Sequence, residues 1–164
     1  MPNVMKSIVV AVSLFIIDAF VLNQGILSLV ILFIAIPFMV VRAIKKREDS
    51  VLLKKRLIIM GIYVTMVVLV FASNHLNNVI AKNRADVIIK ACEQYKLMKG
   101  VYPPKLSVLV PVFLKKIPTA KYTFSSDQFR YFVSANHHQL MFTAIPPFGR
   151  SYYVLEEKRW GSID

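Results

Sequence analysis

The sequence predicts a membrane α-helical region of three transmembrane helices joined to an α+β domain. In that domain a long amphipathic helix packs on a small antiparallel sheet. Three observations predict this. Long, almost uncharged runs are confined to the first half of the chain. A stretch with apolar residues every three or four positions follows them and ends at Gly100 and Pro103-Pro104. Beyond it the apolar period changes to two, the spacing of a strand.

Composition supports the same division. Of 164 residues, 56% are hydrophobic and 18% charged, with a mean hydropathy of +0.55. A soluble domain carries about 25% charged residues. Disorder and a plain soluble globule are both excluded. Five Gly and one Cys also exclude a collagen-like or disulfide-bonded scaffold. The net charge is +12, so where the cations lie carries information.

The first apolar run is Ser7 to Leu22, interrupted by Asp18; the second is Ile26 to Val41; the third is Leu57 to Asn74. Each run is about 24–27 Å of helix at 1.5 Å per residue, slightly short of a hydrocarbon core of about 30 Å. Flanking residues extend them, and Lys or Arg at the ends can snorkel to the interface. The expected helices cover about 5–22, 26–44 and 55–75, within a transmembrane region 1–78. Asn23-Gln24-Gly25 makes a tight hairpin between the first two. No small-x-small cleavage site follows the first run, so it reads as an anchor rather than a signal peptide.

Orientation follows from the basic loop 42–56. It holds Arg42, Lys45, Lys46, Arg47, Lys54, Lys55 and Arg56 against Glu48 and Asp49. In a short loop such an excess stays cytoplasmic. The N-terminus is then cytoplasmic too, and residues 79–164 are exported. That last part is also basic, but long domains translocate largely regardless of charge. The expected topology is multi-pass, with the C-terminal domain on the far side of the membrane from the basic loop.

Val79 to Lys99 reads as the amphipathic helix, with Ile88, Ala91, Cys92 and Tyr95 on its apolar face. Asn77 or Asn78 could cap it; without a break there, it continues the third run as one helix. Gly100 is placed to end it. Pro104 to Leu109 suggests a helical turn. Lys121–Phe124, Phe129–Ser134, Gln139–Ala144 and Tyr152–Leu155 are the expected strands. Ser125–Asp127, Ala135–His137 and Pro146–Gly149 are the expected turns.

Residues capable of chemistry are few. Asp18 is the ionisable residue inside an apolar run, and Asn74 and His75 are its expected partners in an intramembrane polar contact. His137 and His138 lack companions at metal-ligand spacing. Cys92 is alone and expected in the core. Asp86, Glu93, Asp127, Glu156 and Glu157 form no evident acid–base pair. No phosphate loop, nucleophile elbow or HExxH is present. The reading is therefore of a protein that is not an enzyme, with no cofactor, no metal and no small-molecule substrate. Lys115, Lys116, Lys121 and Arg130 interleave with Tyr122, Phe124, Phe129, Tyr131 and Phe132. That pattern suits either single-stranded nucleic acid or an ordinary sheet with a solvated basic face.

The helix ending in Tyr95, then Gly100-Val101-Tyr102-Pro103, then Leu106 and Leu109-Val110-Pro111, resembles the head segment of type IV pilins and type II secretion pseudopilins. The match covers about 35 residues, Ala85 to Pro118. It implies a pilin-like outer domain. The third apolar run follows Lys54-Lys55-Arg56, without the Gly-Phe junction or the Glu of a prepilin, and it comes third instead of first. The chain therefore resembles a type IV pilin accessory protein more than a pilin. The resemblance implies a partner: a pilin or pseudopilin subunit, contacted to assist pilus assembly or stability. The alternative is a membrane-anchored nucleic-acid-binding module of an uptake system. Ala11, Ser13, Ala19, Gly61 and Ser73 are small or polar positions where another apolar helix could pack.

Overall fold

The computed structural model describes residues 3–23, 25–45, 50–124, 128–134, 137–145 and 149–163. The chain forms two compact units, Met1–His75 and Leu76–Asp164.

In the first unit Asn3 caps helix α1 (Val4–Ile16), its Oδ1 accepting from the amides of Met5 at 3.0 Å and Lys6 at 3.4 Å. The helix widens into a π-helical segment, Ile17–Leu22. Asn23 and Gly25 both take left-handed backbone conformations, at φ 53° and 72°. Asn and Gly are the residues that enter this region at least cost, which is why the chain can reverse there. Helix α2 (Ile26–Val30) leads through a second π-helical segment, Ile31–Ala35, into α3 (Ile36–Lys45). Helix α4 then runs unbroken from Ser50 to Lys99.

Val4–Leu22, Ile26–Lys45 and Ser50–Lys99 are each long and apolar enough to cross a membrane. Their packing fits that solvent. A small inner cluster joins Ala11, Ala19, Ile31, Met66, Val67 and Val70. Large apolar side chains face outward: Phe33 is 70% exposed and Phe38 66%. In water such a surface would drive association; against lipid tails it carries no such penalty.

In the second unit the last part of α4 supplies one wall of the core. Ala81, Ala85, Ile88 and Cys92 recur at helical spacing and are buried with Leu106, Leu109, Leu140, Phe142 and Leu155. A single 3₁₀ turn, Leu106–Leu109, follows the helix. The other wall is a four-stranded antiparallel sheet in the order β1 (Arg130–Ser134), β2 (His137–Ile145), β3 (Gly149–Val154), β4 (Arg159–Ile163). Tyr131 pairs with Leu140, Leu140 with Tyr153, and Tyr153 with Trp160. A register shift lies between Thr143 and Ile145 in the β2–β3 ladder.

The long helix and the antiparallel sheet match expectation; several details differ. Asn77 and Asn78 neither break nor cap α4. Lys121–Phe124 is not a strand. Its backbone is used otherwise: the Tyr122 amide donates to Asn77 Oδ1 at 3.3 Å. The fourth strand is Arg159–Ile163 instead, reached through a turn at Leu155–Lys158 in which Lys158 has φ 50°. His137 and Gly149, expected in turns, begin β2 and β3. The expected turn at 125–127, and residues 135–136 and 146–148 of the other two, lie outside the described residues.

Ile88 sits at full burial where the helix meets the sheet unit's core. Ile88→Ala is expected to lower stability by about 2–5 kcal/mol. Denaturant unfolding of the full chain in detergent, followed by the fluorescence of Trp160, the sole Trp, measures it.

Candidate functional site

Three regions gather the residues singled out in the sequence. The first is the hairpin end of unit one. Asp18 is fully buried in the first π-helical segment. Its Oδ2 accepts two hydrogen bonds from Ser28, from the amide at 2.9 Å and from the hydroxyl at 2.7 Å. Ser28 is also fully buried. The expected partners, Asn74 and His75, do not hold Asp18. The physical reason is proximity: the hairpin brings the N-terminal end of the second helix directly beside Asp18. There a backbone N–H near the start of a helix and a hydroxyl offer two donors to one carboxylate oxygen. Asn74 instead lies against the hairpin apex. A Cβ built on Gly25 would be 3.7 Å from Asn74 Nδ2 and 3.4 Å from the Phe71 ring. Among the described residues, Asp18 Oδ1, Asn74 Oδ1 and both polar atoms of the buried Asn23 side chain have no hydrogen-bond partner. His75 is exposed.

The second region is built by the residues of the Tyr95–Pro111 motif. Tyr95 packs edge-on against Phe113, with ring centroids 5.7 Å apart. Gly100 ends α4 in the left-handed region, φ 79°, with its amide bonded to Lys96 O at 2.8 Å. That reversal swings Tyr102 back over the helix. The Tyr102 hydroxyl donates to Glu93 Oε1 at 2.9 Å and lies 3.1 Å from Leu155 O. Burial, then the hydrogen bond to Glu93, pushes this phenol well above its ordinary value, so it remains a donor. Lys96 Nζ covers the ring at 4.1 Å, a cation–π contact. Pro103 is fully buried, and its carbonyl accepts from the Tyr131 hydroxyl at 3.0 Å. Leu109, fully buried, offers its carbonyl to the amides of Phe113 and Leu114. The Val110–Pro111 bond is cis. The motif thus joins helix, loop and sheet.

A neighbouring pair was not legible in the sequence. Glu156 accepts from the His138 amide at 2.9 Å, and its other oxygen lies 2.6 Å from His138 Nδ1. Burial raises the Glu156 pKa, but the hydrogen bonds from His138 outweigh it and the net shift is downward. His137, on the same strand, is exposed. Among the described residues no three His, Cys, Asp or Glu side chains come together.

The basic and aromatic set divides. Lys121 and Phe129 are buried, and Lys121 Nζ donates to Ala144 O at 2.8 Å. Lys115, Lys116, Arg130, Tyr122, Phe124 and Phe132 are exposed. Arg84 binds the backbone oxygen of Thr119 at 2.9 Å and stacks on Tyr122 at 4.1 Å. Cys92 is buried beside Ile88, as expected.

The third region is an apolar groove of about 470 Å³ in unit one. Ile8, Val12 and Phe15 of α1 line one side, and Gly61, Thr65 and Leu69 of α4 the other. A Cβ built on Gly61 would meet nothing within 4 Å. Of the other small positions singled out, Ala11 and Ala19 are buried inside the unit. Arg42 and Lys45 end α3, and Lys54, Lys55 and Arg56 lie near the start of α4; Lys46 and Arg47 lie outside the described residues. No family model, no curated protein and no solved structure matches the chain.

Two predictions follow from these contacts. Asp18→Ala leaves the Ser28 amide and hydroxyl without their acceptor, at a cost of about 1–3 kcal/mol; Asp18→Asn keeps an acceptor oxygen. Thermal unfolding in detergent should show a clear loss for Ala and less than half of it for Asn. The Glu156 carboxylate has a lowered pKa in the folded state, so its stabilisation is present above the ordinary carboxylate range. It is lost as pH falls through the folded value. Between about pH 6 and pH 3 the parent should lose stability more steeply than Glu156→Gln, read from unfolding midpoints across that range.

Proposed function

We propose that the protein is a non-enzymatic accessory protein of the bacterial inner membrane. It contacts type IV pilin or pseudopilin subunits and assists pilus assembly or stability. The cations of residues 42–56, expected in a loop but carried by the end of α3 and the start of α4 among the described residues, support a cytoplasmic position for that end of the helices and a periplasmic one for the Leu76–Asp164 unit. The Tyr95–Pro111 resemblance supports the choice of partner class.

The observation that carries the reading is the open groove between α1 and α4. A pilin is a protein with one apolar helix ahead of its head, and a groove with Gly61 and Thr65 one turn apart on its wall suits such a helix. Small residues at this spacing let two backbones approach closely, which is how helices associate in lipid. Its lining is almost wholly apolar, so it selects a lipid-embedded helix over a soluble ligand. A second contact is available in the other unit. Strand β1 is a sheet edge, with Phe132 and Val133 about half exposed. An open edge of this kind accepts another extended segment.

The test is co-purification of a type IV pilin with the detergent-solubilised full chain. The parent is expected to retain pilin. Gly61→Leu with Thr65→Leu fills the groove from an open helix face, and should cut retention about tenfold while leaving the unfolding midpoint unchanged. A parent that retains no pilin, or retention unaffected by the filled groove, overturns the reading.

A further inference from the structure

The sheet has a second face, turned away from α4, and its residues differ in kind from those of the core. Register fixes which of them lie together. Arg130 pairs with Met141, Met141 with Tyr152 and Tyr152 with Gly161, while Phe132 and Val154 both pair with Gln139 in the next row. Strand alternation sets these rows opposite Tyr131, Leu140, Tyr153 and Trp160, which lie in the core or pack against it. Met141 and Val154 are buried, yet neither belongs to that core. They form an apolar floor on the outer face. Phe132 is 47% exposed, and Arg130 and Arg150 are exposed beside it and beside Tyr152.

Two features of this face converge on one kind of ligand. The first is the posture of the rings. A Cβ on Gly161 would lie 2.4 Å from Tyr152 Cζ, 2.5 Å from its hydroxyl oxygen and 2.9 Å from Cε1. The end of the ring therefore rests on the glycine, where any side chain would lift it. A ring laid on the sheet turns its other face outward, and Tyr152 is only partly buried. Phe132 stands about 12 Å away, two strand spacings across and two residues along, far enough to serve a separate planar group. The second feature is charge. None of the four strands contains Asp or Glu. Arg159 is paired with Glu157, but the guanidinium groups of Arg130 and Arg150 have no hydrogen bond, ion pair or ring contact among the described residues. Each is a permanent charge with planar donors matched to phosphate oxygens.

We propose that this face binds single-stranded nucleic acid, with bases stacked on Tyr152 and Phe132 and the connecting phosphates on Arg130 and Arg150. Stacking on an aromatic face tolerates any base, and the phosphate contacts supply a salt-dependent share of the affinity. A duplex keeps its base faces inside its own stack, so the rings select a single strand. Lys115 and Lys116 lie outside the strands and take no part. The pilin reading uses the groove of unit one and the backbone edge of β1. This proposal uses neither, so each can fail without the other.

The test titrates the full chain, in neutral detergent, into a fluorescent oligothymidylate of about 16 nucleotides, the upper end of a common single-strand site. Anisotropy is followed from low to moderate salt. The parent is expected to bind the single strand about tenfold more tightly than a duplex of equal length. Phe132→Leu with Tyr152→Leu removes both rings, keeps apolar cover over the floor, and should cost about tenfold in affinity with the salt slope unchanged. Arg130→Gln with Arg150→Gln should reduce that slope by about 1.4, two phosphates at about 0.7 each. Lys115→Gln with Lys116→Gln removes equal charge elsewhere and should bind like the parent. Unfolding midpoints from Trp160 fluorescence are read first. Should the ring variant fail to fold, the arginine pair, at exposed positions, carries the test. The proposal is overturned by a parent that binds no oligonucleotide or binds duplex as tightly, by a folded ring variant that binds like the parent, or by a lysine pair that loses as much as the arginine pair. Displacement of the oligonucleotide by inorganic polyphosphate at equal phosphate concentration would mark a surface for polyanions in general and overturn it as well.

Discussion

Backbone pairing within α4 is the constraint on which both units depend. A segment crossing lipid must satisfy every N–H and C=O internally, and a segment walling a small core must present one coherent apolar face. The same helix, Ser50–Lys99, meets both demands because nothing interrupts it: it contains no Pro and one Gly, at position 61. The stretch most prone to break is Asn74 to Asn78. Asn side chains compete with the helical backbone for hydrogen bonds. Here Asn77 is buried and its Oδ1 takes the Tyr122 amide. The competing acceptor is spent on the loop that follows the core, so the helix ladder is left intact.

The polar groups of unit one show how little room an apolar surrounding leaves for compromise. A carboxylate removed from water is costly unless it is bonded. Asp18 receives both donors of a single residue, Ser28, on one oxygen. The π-helical segment that carries Asp18 and the left-handed residues Asn23 and Gly25 lie close together in the chain. Helix widening of this kind frees backbone groups and re-aims side chains. Geometry at the hairpin is therefore tied to one buried acid–hydroxyl pair, and the two left-handed residues make that pairing reachable.

What could be read from the sequence followed from periodicity. Three apolar runs, the amphipathic face through Ile88 and Cys92, and the period-two segments are all direct consequences of which side chains meet which solvent. What could not be read depended on contacts across the chain. The sequence points to Asn74 and His75 as partners of Asp18, whereas Ser28, ten residues on across the hairpin, holds it. Asp18 and Ser28 are placed symmetrically about Asn23, and that symmetry was the available signal. Lys121–Phe124 alternates like a strand, yet Lys121 is drawn inward to the Ala144 carbonyl. Arg159–Ile163 carries a weak strand signal, because Gly161 lowers strand propensity. In the structure the Tyr152 ring lies over Gly161, within 2.4 Å of where a Cβ would be, so the partner strand supplies the side chain that the glycine lacks. The Glu93–Tyr102 and Glu156–His138 pairs had no local spacing to announce them.

The Tyr95–Pro111 motif has a structural role that limits what it can offer a partner. Gly100 turns the chain, Tyr102 anchors it to Glu93 and Leu155, and Pro103 and Leu109 are sealed in the core. Residues so occupied are unavailable to a partner: exposing Tyr102 would break its bonds to the partly buried Glu93 and to the Leu155 carbonyl, and exposing Leu109 would open the core. Their presence speaks to how a small sheet closes on a long helix. Under the proposed function, recognition would fall to surfaces that closure leaves over. In the sheet unit the β1 edge is such a surface, because strand pairing there is incomplete on one side. In the first unit it is the groove at Gly61, where the absence of a side chain leaves open space beside apolar walls. Under the proposed function each surface would take its own kind of segment, an extended strand at β1 and an apolar helix at Gly61.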